Sequence, residues 1–322
     1  MLFKKEGCRL KYFNIAFYAS VMGFGGLSIA THKLEEVYKT GSHIGYFLLI
    51  ISFLYFIIIS GLYLIKMFIN FDDVKADFVH SVKSNFFPGI GKILFLFAIG
   101  FMSSHIIFAK YLWIIGAIIQ FFFTIIILRR WIQKEMDIKE MNPLWFIPVV
   151  GNMIAPIAGL KLGFGEISLF LFAIGFILWA VLFTIIINRI LFHHPLHQKL
   201  LPTLFILIAP PSIAFISYTN INAGNIDLFG KMLYYFALFL FLVVFSQINV
   251  LKNLKFYLSW WAYSFPMAAL TIASLLFYNK TQFSFISFLS IFFFALLVII
   301  IIILIYKTIL GIKKKELCTE ES

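Results

Sequence analysis

The chain has 322 residues, 62% hydrophobic and only 12% charged, with a formal net charge of +12. Soluble globular domains are about 45–50% apolar and roughly 25% charged, so a soluble enzyme, a nucleic-acid module and a disordered chain are all excluded. The basic residues gather at the ends of apolar segments, which is an orientation signal for a lipid bilayer and not a nucleic-acid footprint.

Runs of about 18 or more apolar residues predict an all-α polytopic membrane protein with ten transmembrane helices, at 13–30, 44–65, 91–109, 111–128, 145–163, 167–188, 201–219, 232–250, 258–278 and 284–306. They form a single transmembrane domain over 1–322, with short tails at 1–12 and 308–322. Segment 1 carries the small residues Gly23, Gly25, Gly26 and Ser28. Segment 3 is entered at Pro88 and holds His105 beside Ser103 and Ser104, the clearest intramembrane ionisable group and a possible proton relay. Lys92, Lys161 and Glu166 fall near segment ends, where long side chains reach water. Lys110-Tyr111 marks the turn into segment 4, and Gly163-Phe164-Gly165-Glu166 marks the turn out of segment 5.

Pro143 lies just before segment 5, which carries Pro148 and Pro156 together with Gly151, Asn152 and Gly159. Beyond segment 6, His193-His194-Pro195-Leu196-His197 sets two imidazoles four apart. The intervening proline and the lack of a neighbouring carboxylate make it a solvated loop and not a metal site. Segment 7 contains Pro202, Pro210 and Pro211. Segment 9 contains Phe265-Pro266 among Ala262, Ser264, Ala268 and Ala269. Nothing in the chain reads as a cofactor site. Cys8 and Cys318 lie in the polar tails and imply no disulfide framework.

Twenty of the 26 Lys and Arg residues fall on the side that holds both tails, which places both termini in the cytoplasm. From segment 3 onward the odd segments begin about 54–57 residues apart, the layout of a helical hairpin repeated five times. All the in-segment prolines belong to odd segments. Proline removes a backbone donor and kinks a helix, and freed carbonyls are tolerated in hydrocarbon only against protein or a water-filled cavity. The expectation is therefore five inner, kinked helices around a pore and five outer, straight helices facing lipid.

Small side chains and kinks in the odd segments suit a narrow pore lined by Gly23, Gly26, Asn152, Pro156, Pro210, Ser264 and Pro266, and equally suit close helix packing. No Asp or Glu falls at a bilayer midplane, which counts against coupled cation transport and intramembrane hydrolysis. The basic flanks favour anions.

Three stretches carry a resemblance: Asn142-Pro143-Leu144-Trp145-Phe146-Ile147-Pro148-Val149-Val150-Gly151, the run from Leu201 to Pro211, and Trp260-Trp261-Ala262-Tyr263-Ser264-Phe265-Pro266. The chain resembles the tellurite-resistance/dicarboxylate transporter family, which includes bacterial tellurite-resistance proteins and plant slow anion channels. The resemblance implies a homotrimer with one pore per protomer, occluded by a phenylalanine on the ninth helix, a role that falls on Phe265. The short tails look bacterial, which points to the inner membrane. Three functions follow as expectations: a channel or uniporter for small anions such as chloride or nitrate, a C4-dicarboxylate (malate) carrier linked to tellurite resistance, or a non-conducting sensor or scaffold. No enzymatic constellation is expected.

Overall fold

The computed structural model describes residues 10–249, 254–314 and 316–317. Cys8, Cys318 and the end of segment 8 at residue 250 lie outside the described residues. The helices are α1 (Phe17–Tyr38), α2 (Ile44–Ile69), α3 (Phe71–Val79), α4 (Gly89–Phe101), α5 (Ile106–Gln133), α6 (Phe146–Val150), α7 (Ala155–Gly159), α8 (Gly165–Phe192), α9 (Ala209–Ile221), α10 (Leu228–Phe245), α11 (Ser264–Thr281) and α12 (Ser284–Lys313). Every expected segment is helical, and eight helical stretches among the described residues are long and apolar enough to cross a membrane. The other two are α1, whose last turns carry His32, Lys33, Glu35 and Glu36, and the interrupted run Pro143–Gly159.

The helices form two concentric rings. α1 packs on α4, α4 on the 143–159 run, that run on α9, α9 on α11, and α11 back on α1. Each outer helix lies against its hairpin partner: α2 on α1, α5 on α4, α8 on α6 and α7, α10 on α9, α12 on α11. About four-fifths of the inner spans 83–101, 198–221 and 258–281 is buried, 83%, 83% and 78%, against 22–39% for the outer helices. The exposed outer side chains are Phe, Ile and Leu, such as Phe47, Ile118 and Phe288, an apolar belt suited to hydrocarbon.

The prolines act on the inner ring, as their distribution implies. All five inner helices are entered through 3-10 turns on one face of the bundle: Leu10–Tyr12, Lys83–Phe86, Pro143–Trp145, Gln198–Ile208 and Leu258–Tyr263. Asn14 and Leu317, near the two ends of the described chain, lie on this face too, so we call it the terminal face. Pro148 and Pro156 break segment 5 further, into α6, a 3-10 turn at Gly151–Ile154, and α7. The outer helix α5 satisfies the freed backbone. The Pro148 carbonyl accepts from Gln120 Nε2 at 2.8 Å and Thr124 Oγ1 at 2.7 Å, and the Ala155 carbonyl accepts from Trp113 Nε1 at 3.0 Å.

The long 66–90 connection is not loose. Its helix α3 is latched under the bundle by Asp77, which accepts from Lys66 Nζ at 2.6 Å, while Lys83 Nζ stands 3.1 Å from the other carboxylate oxygen. Lys66 also donates to the Phe13 carbonyl at 2.9 Å, tying the foot of α2 to the entry of α1.

One turn differs from expectation. α4 stops at Phe101, the chain turns through Met102–His105, and α5 begins at Ile106, so Lys110-Tyr111 lies inside α5. Ser103, Ser104 and His105 are all exposed. Polar side chains that bond water and local backbone end a helix more readily than one lysine, whose stem stays in the apolar layer while its amine reaches out.

Candidate functional site

Three cavities follow one another along the axis of the inner ring. A vestibule of about 750 Å³ opens on the terminal face, one of about 530 Å³ opens opposite, and a constriction of about 30 Å³ lies between. The wall of the opposite vestibule takes Ser28, Ile99, Ile157, Ile216 and Ile272, one residue from each inner segment. The constriction is likewise lined from all five, through Met22, Lys92, Ile147, Ile206, Phe265 and Pro266.

Two side chains set the chemistry of the constriction. Phe265 occupies the first turn of α11, one residue before Pro266. Lys92 occupies the first turn of α4, is only 4% exposed, and places Nζ 5.0 Å from the centroid of the Phe265 ring. That is within cation–π range. Among the described residues no carboxylate lies within ion-pair distance of Lys92.

The other expected residues divide into wall and seam. Pro266 lines the constriction with Phe265. Gly23 and Gly26 face α11: a Cβ on Gly26 would stand 2.7 Å from Ala268 Cβ, and one on Gly23 would run into the Ser264 side chain. These glycines let α1 and α11 touch. Ser264 turns its hydroxyl to the Trp261 carbonyl at 2.6 Å. Asn152 is fully buried and faces the interrupted backbone of its own segment, donating to the Val149 carbonyl at 3.0 Å and to Thr124 Oγ1 at 2.9 Å. Pro156 and Pro210 are buried in the first turns of α7 and α9. His105 is corrected in position: it sits exposed in the α4–α5 turn and not within a helix, with Nδ1 3.5 Å from the Tyr46 hydroxyl.

Lys92 is the residue the sequence reading misplaced, since it expected a side chain reaching water at a segment end. A signal was present. A lysine four residues past Pro88, in an otherwise apolar stretch, is a default site candidate when its helix is an inner one.

Both vestibules carry a basic excess. Lys83, Lys199 and Lys255 line the terminal one against Glu316, and Lys33 and Lys161 line the opposite one against Glu36. Just beyond segment 1, burial opposes ionisation of Glu35. The Ser42 hydroxyl, the Gly45 and Ile44 N–H groups and His32 outweigh it and hold the carboxyl below its usual range.

The chain is 31% identical over 275 residues to the S-type anion channel SLAH2 of Arabidopsis thaliana, covering 82% of this chain and 52% of that protein. It is 30% identical over 223 residues to the guard cell S-type anion channel SLAC1 of the same plant, 67% of this chain and 40% of the relative. It thus spans about half the length, or less, of these plant relatives. A tellurite resistance protein TehA homolog of Haemophilus influenzae is 26% identical over 272 residues, 82% of this chain and 80% of the relative. A model of the SLAC1 family, described as voltage-dependent anion channel, matches residues 12–309, and the chain, with its closed ring of five inner helices, belongs to that family.

Proposed function

We propose that this protein is an anion channel of a bacterial inner membrane, crossing it ten times with the terminal face in the cytoplasm. It assembles as a homotrimer with one pore in each protomer. The pore is the axis of the inner ring, Phe265 is its occluding residue, and chloride and nitrate are its permeant ions. The names of the plant relatives support the class of ion.

One observation carries the reading: a buried lysine faces an aromatic ring that lines the constriction between two basic vestibules. An aromatic plug keeps water out of the narrowest point, so a hydrated ion meets a high barrier. A protonated Lys92 offsets part of that barrier for an anion alone. Two opposite unit charges about 5 Å apart at an effective dielectric of 20 attract by about 3 kcal/mol, and like charges repel equally. The same side chain therefore attracts the permeant sign and repels cations. The vestibules concentrate the ion through the field of their lysines. Binding stays weak because, among the described residues, no second cation lines the constriction to add to the attraction, as conduction requires.

The test is current through purified protein in planar bilayers. Phe265→Ala should raise a small wild-type anion current at least tenfold, reversing near the anion equilibrium potential. Lys92→Met in that background should lower the anion-to-cation permeability ratio. Silence of both wild type and Phe265→Ala, with saturable malate uptake that follows a pH gradient, would replace the channel by a dicarboxylate carrier. Silence in every assay would leave a scaffold or sensor.

A further inference from the structure

The terminal vestibule is built for more than a passing monovalent ion. Its volume of about 750 Å³ lies within the range of small-molecule sites, about 300–1,000 Å³. Its cations come from three separate connections: Lys83 before α4, Lys199 after α8, and Lys255 before α11. Glu316 is the only acidic side chain among the described lining residues. Asp77 does not cancel Lys83, because it also pairs with Lys66, so one carboxylate faces two ammonium groups and positive charge remains.

Two imidazoles complete the donor set. His80 Nδ1 accepts the Val82 N–H at 3.0 Å, and His197 Nδ1 accepts the Lys199 N–H at 3.3 Å. With Nδ1 engaged as acceptor, the proton of each neutral ring is fixed on Nε2. Each neutral ring is thereby left with one N–H donor and no free acceptor, a tautomer suited to anions. Apart from Asn14 and Ser259, the rest of the lining is apolar and aromatic, including Phe256 and Tyr257, with Lys199 Nζ 5.5 Å from the Tyr257 ring centroid. Phe86, Leu144 and Ser259 belong both to this vestibule and to the constriction, so an occupant would sit across the pore entrance.

We infer that the terminal vestibule binds a nucleoside polyphosphate, with its phosphates on the lysines and histidines and its base on the aromatic wall, and that the bound nucleotide plugs the pore from that side. A bare monovalent anion leaves most of this donor set unused. An apolar ligand makes no use of it. A planar base joined to several negative charges uses both parts of the lining. The plugging half rests on the channel reading above, whereas the binding half does not.

Isothermal titration of the full chain in nanodiscs with ATP, tripolyphosphate and adenosine tests the binding half. ATP should bind saturably and tighter than either fragment. Lys83→Gln and Lys255→Gln should each weaken it about tenfold, the loss of one charge-assisted contact, and Lys255→Arg should restore it. Absence of saturable ATP binding at millimolar concentration, or affinities unmoved by both substitutions in folded protein, overturns the site. Tripolyphosphate binding as tightly as ATP overturns the nucleoside assignment. In planar bilayers with the open Phe265→Ala protein, ATP should reduce current from the terminal face only, and equal block from both faces overturns the plug. If no variant carries current, the channel reading fails while the titration still decides the site.

Discussion

The inner and outer helices of each hairpin obey different rules. The outer helices α2, α5, α8 and α12 run unbroken for 26–30 residues, and α10 for 18. Their backbone bonds close within the helix, as lipid demands. The inner helices all begin in 3-10 turns, and segment 5 changes helical type three times between Pro143 and Gly159. They tolerate this because neighbours supply the missing donors. Gln120, Thr124 and Trp113 of α5 serve carbonyls of segment 5, and the Ser217 hydroxyl of α9 serves the Met153 carbonyl. Irregular backbone is thus confined to the ring whose axis holds the cavities. The outer ring acts as solvent for the inner one.

The division breaks at the foot of α2, where an outer helix carries a buried ion pair. Lys66 is 2% and Asp77 6% exposed. Asp77→Leu would strand Lys66 without its carboxylate, and breaking a buried pair from one side costs about 3–5 kcal/mol. We expect the largest loss of thermal stability in detergent from this variant, with α3 released first, read as faster proteolysis within 70–83. An unchanged melting temperature would mean that the latch is a surface pair with little energetic weight.

Removing the donors that α5 offers segment 5 sharpens the contrast. Gln120→Leu with Thr124→Val leaves the Pro148 carbonyl only Asn152 Nδ2, at 3.2 Å. An under-satisfied buried acceptor costs about 1–3 kcal/mol, so the double variant should melt lower and conduct abnormally while remaining in the membrane. By contrast, Phe288→Ala on α12, where the ring is 65% exposed, should change stability by about 0.5 kcal/mol or less. Equal losses at the two sites would erase the distinction between the rings.

How much of this was legible follows from which terms dominate. Hydropathy located the helical segments because the apolar runs are long, eight of them long enough to span among the described residues, and proline sorted inner from outer because only protein neighbours can serve a freed carbonyl. Phe265 was reached through resemblance and stands at the constriction. Helix rotation was not legible. Gly23, Gly26 and Asn152 are small or polar residues on inner helices, as a lining would be, yet they face α11 and the interrupted backbone. Lys92 and His105 exchange the places expected of them: the lysine is buried at the constriction and the histidine lies in a turn. Period and composition fix which helix a residue is on, but only packing fixes which way it faces.

The smallest effect concerns the seam where inner α1 passes to outer α2. Lys39 ends α1 in a left-handed conformation at φ 52°, and the Glu35 carboxylate spans the turn, accepting from the Ser42 hydroxyl at 2.6 Å and the Gly45 N–H at 3.1 Å. These partners favour the ionised form, so the folded carboxyl titrates below its unfolded counterpart. The sign follows from linkage: the stabilisation is complete above the unfolded carboxylate pKa of about 4.3 and is lost as the pH falls through the lower, folded value. Wild type should therefore lose a little more thermal stability than Glu35→Gln on acidification below that range, with the two curves converging at the acid end. Parallel curves would place the hold on this turn in its backbone alone, and the inner-to-outer handover would then need no charge.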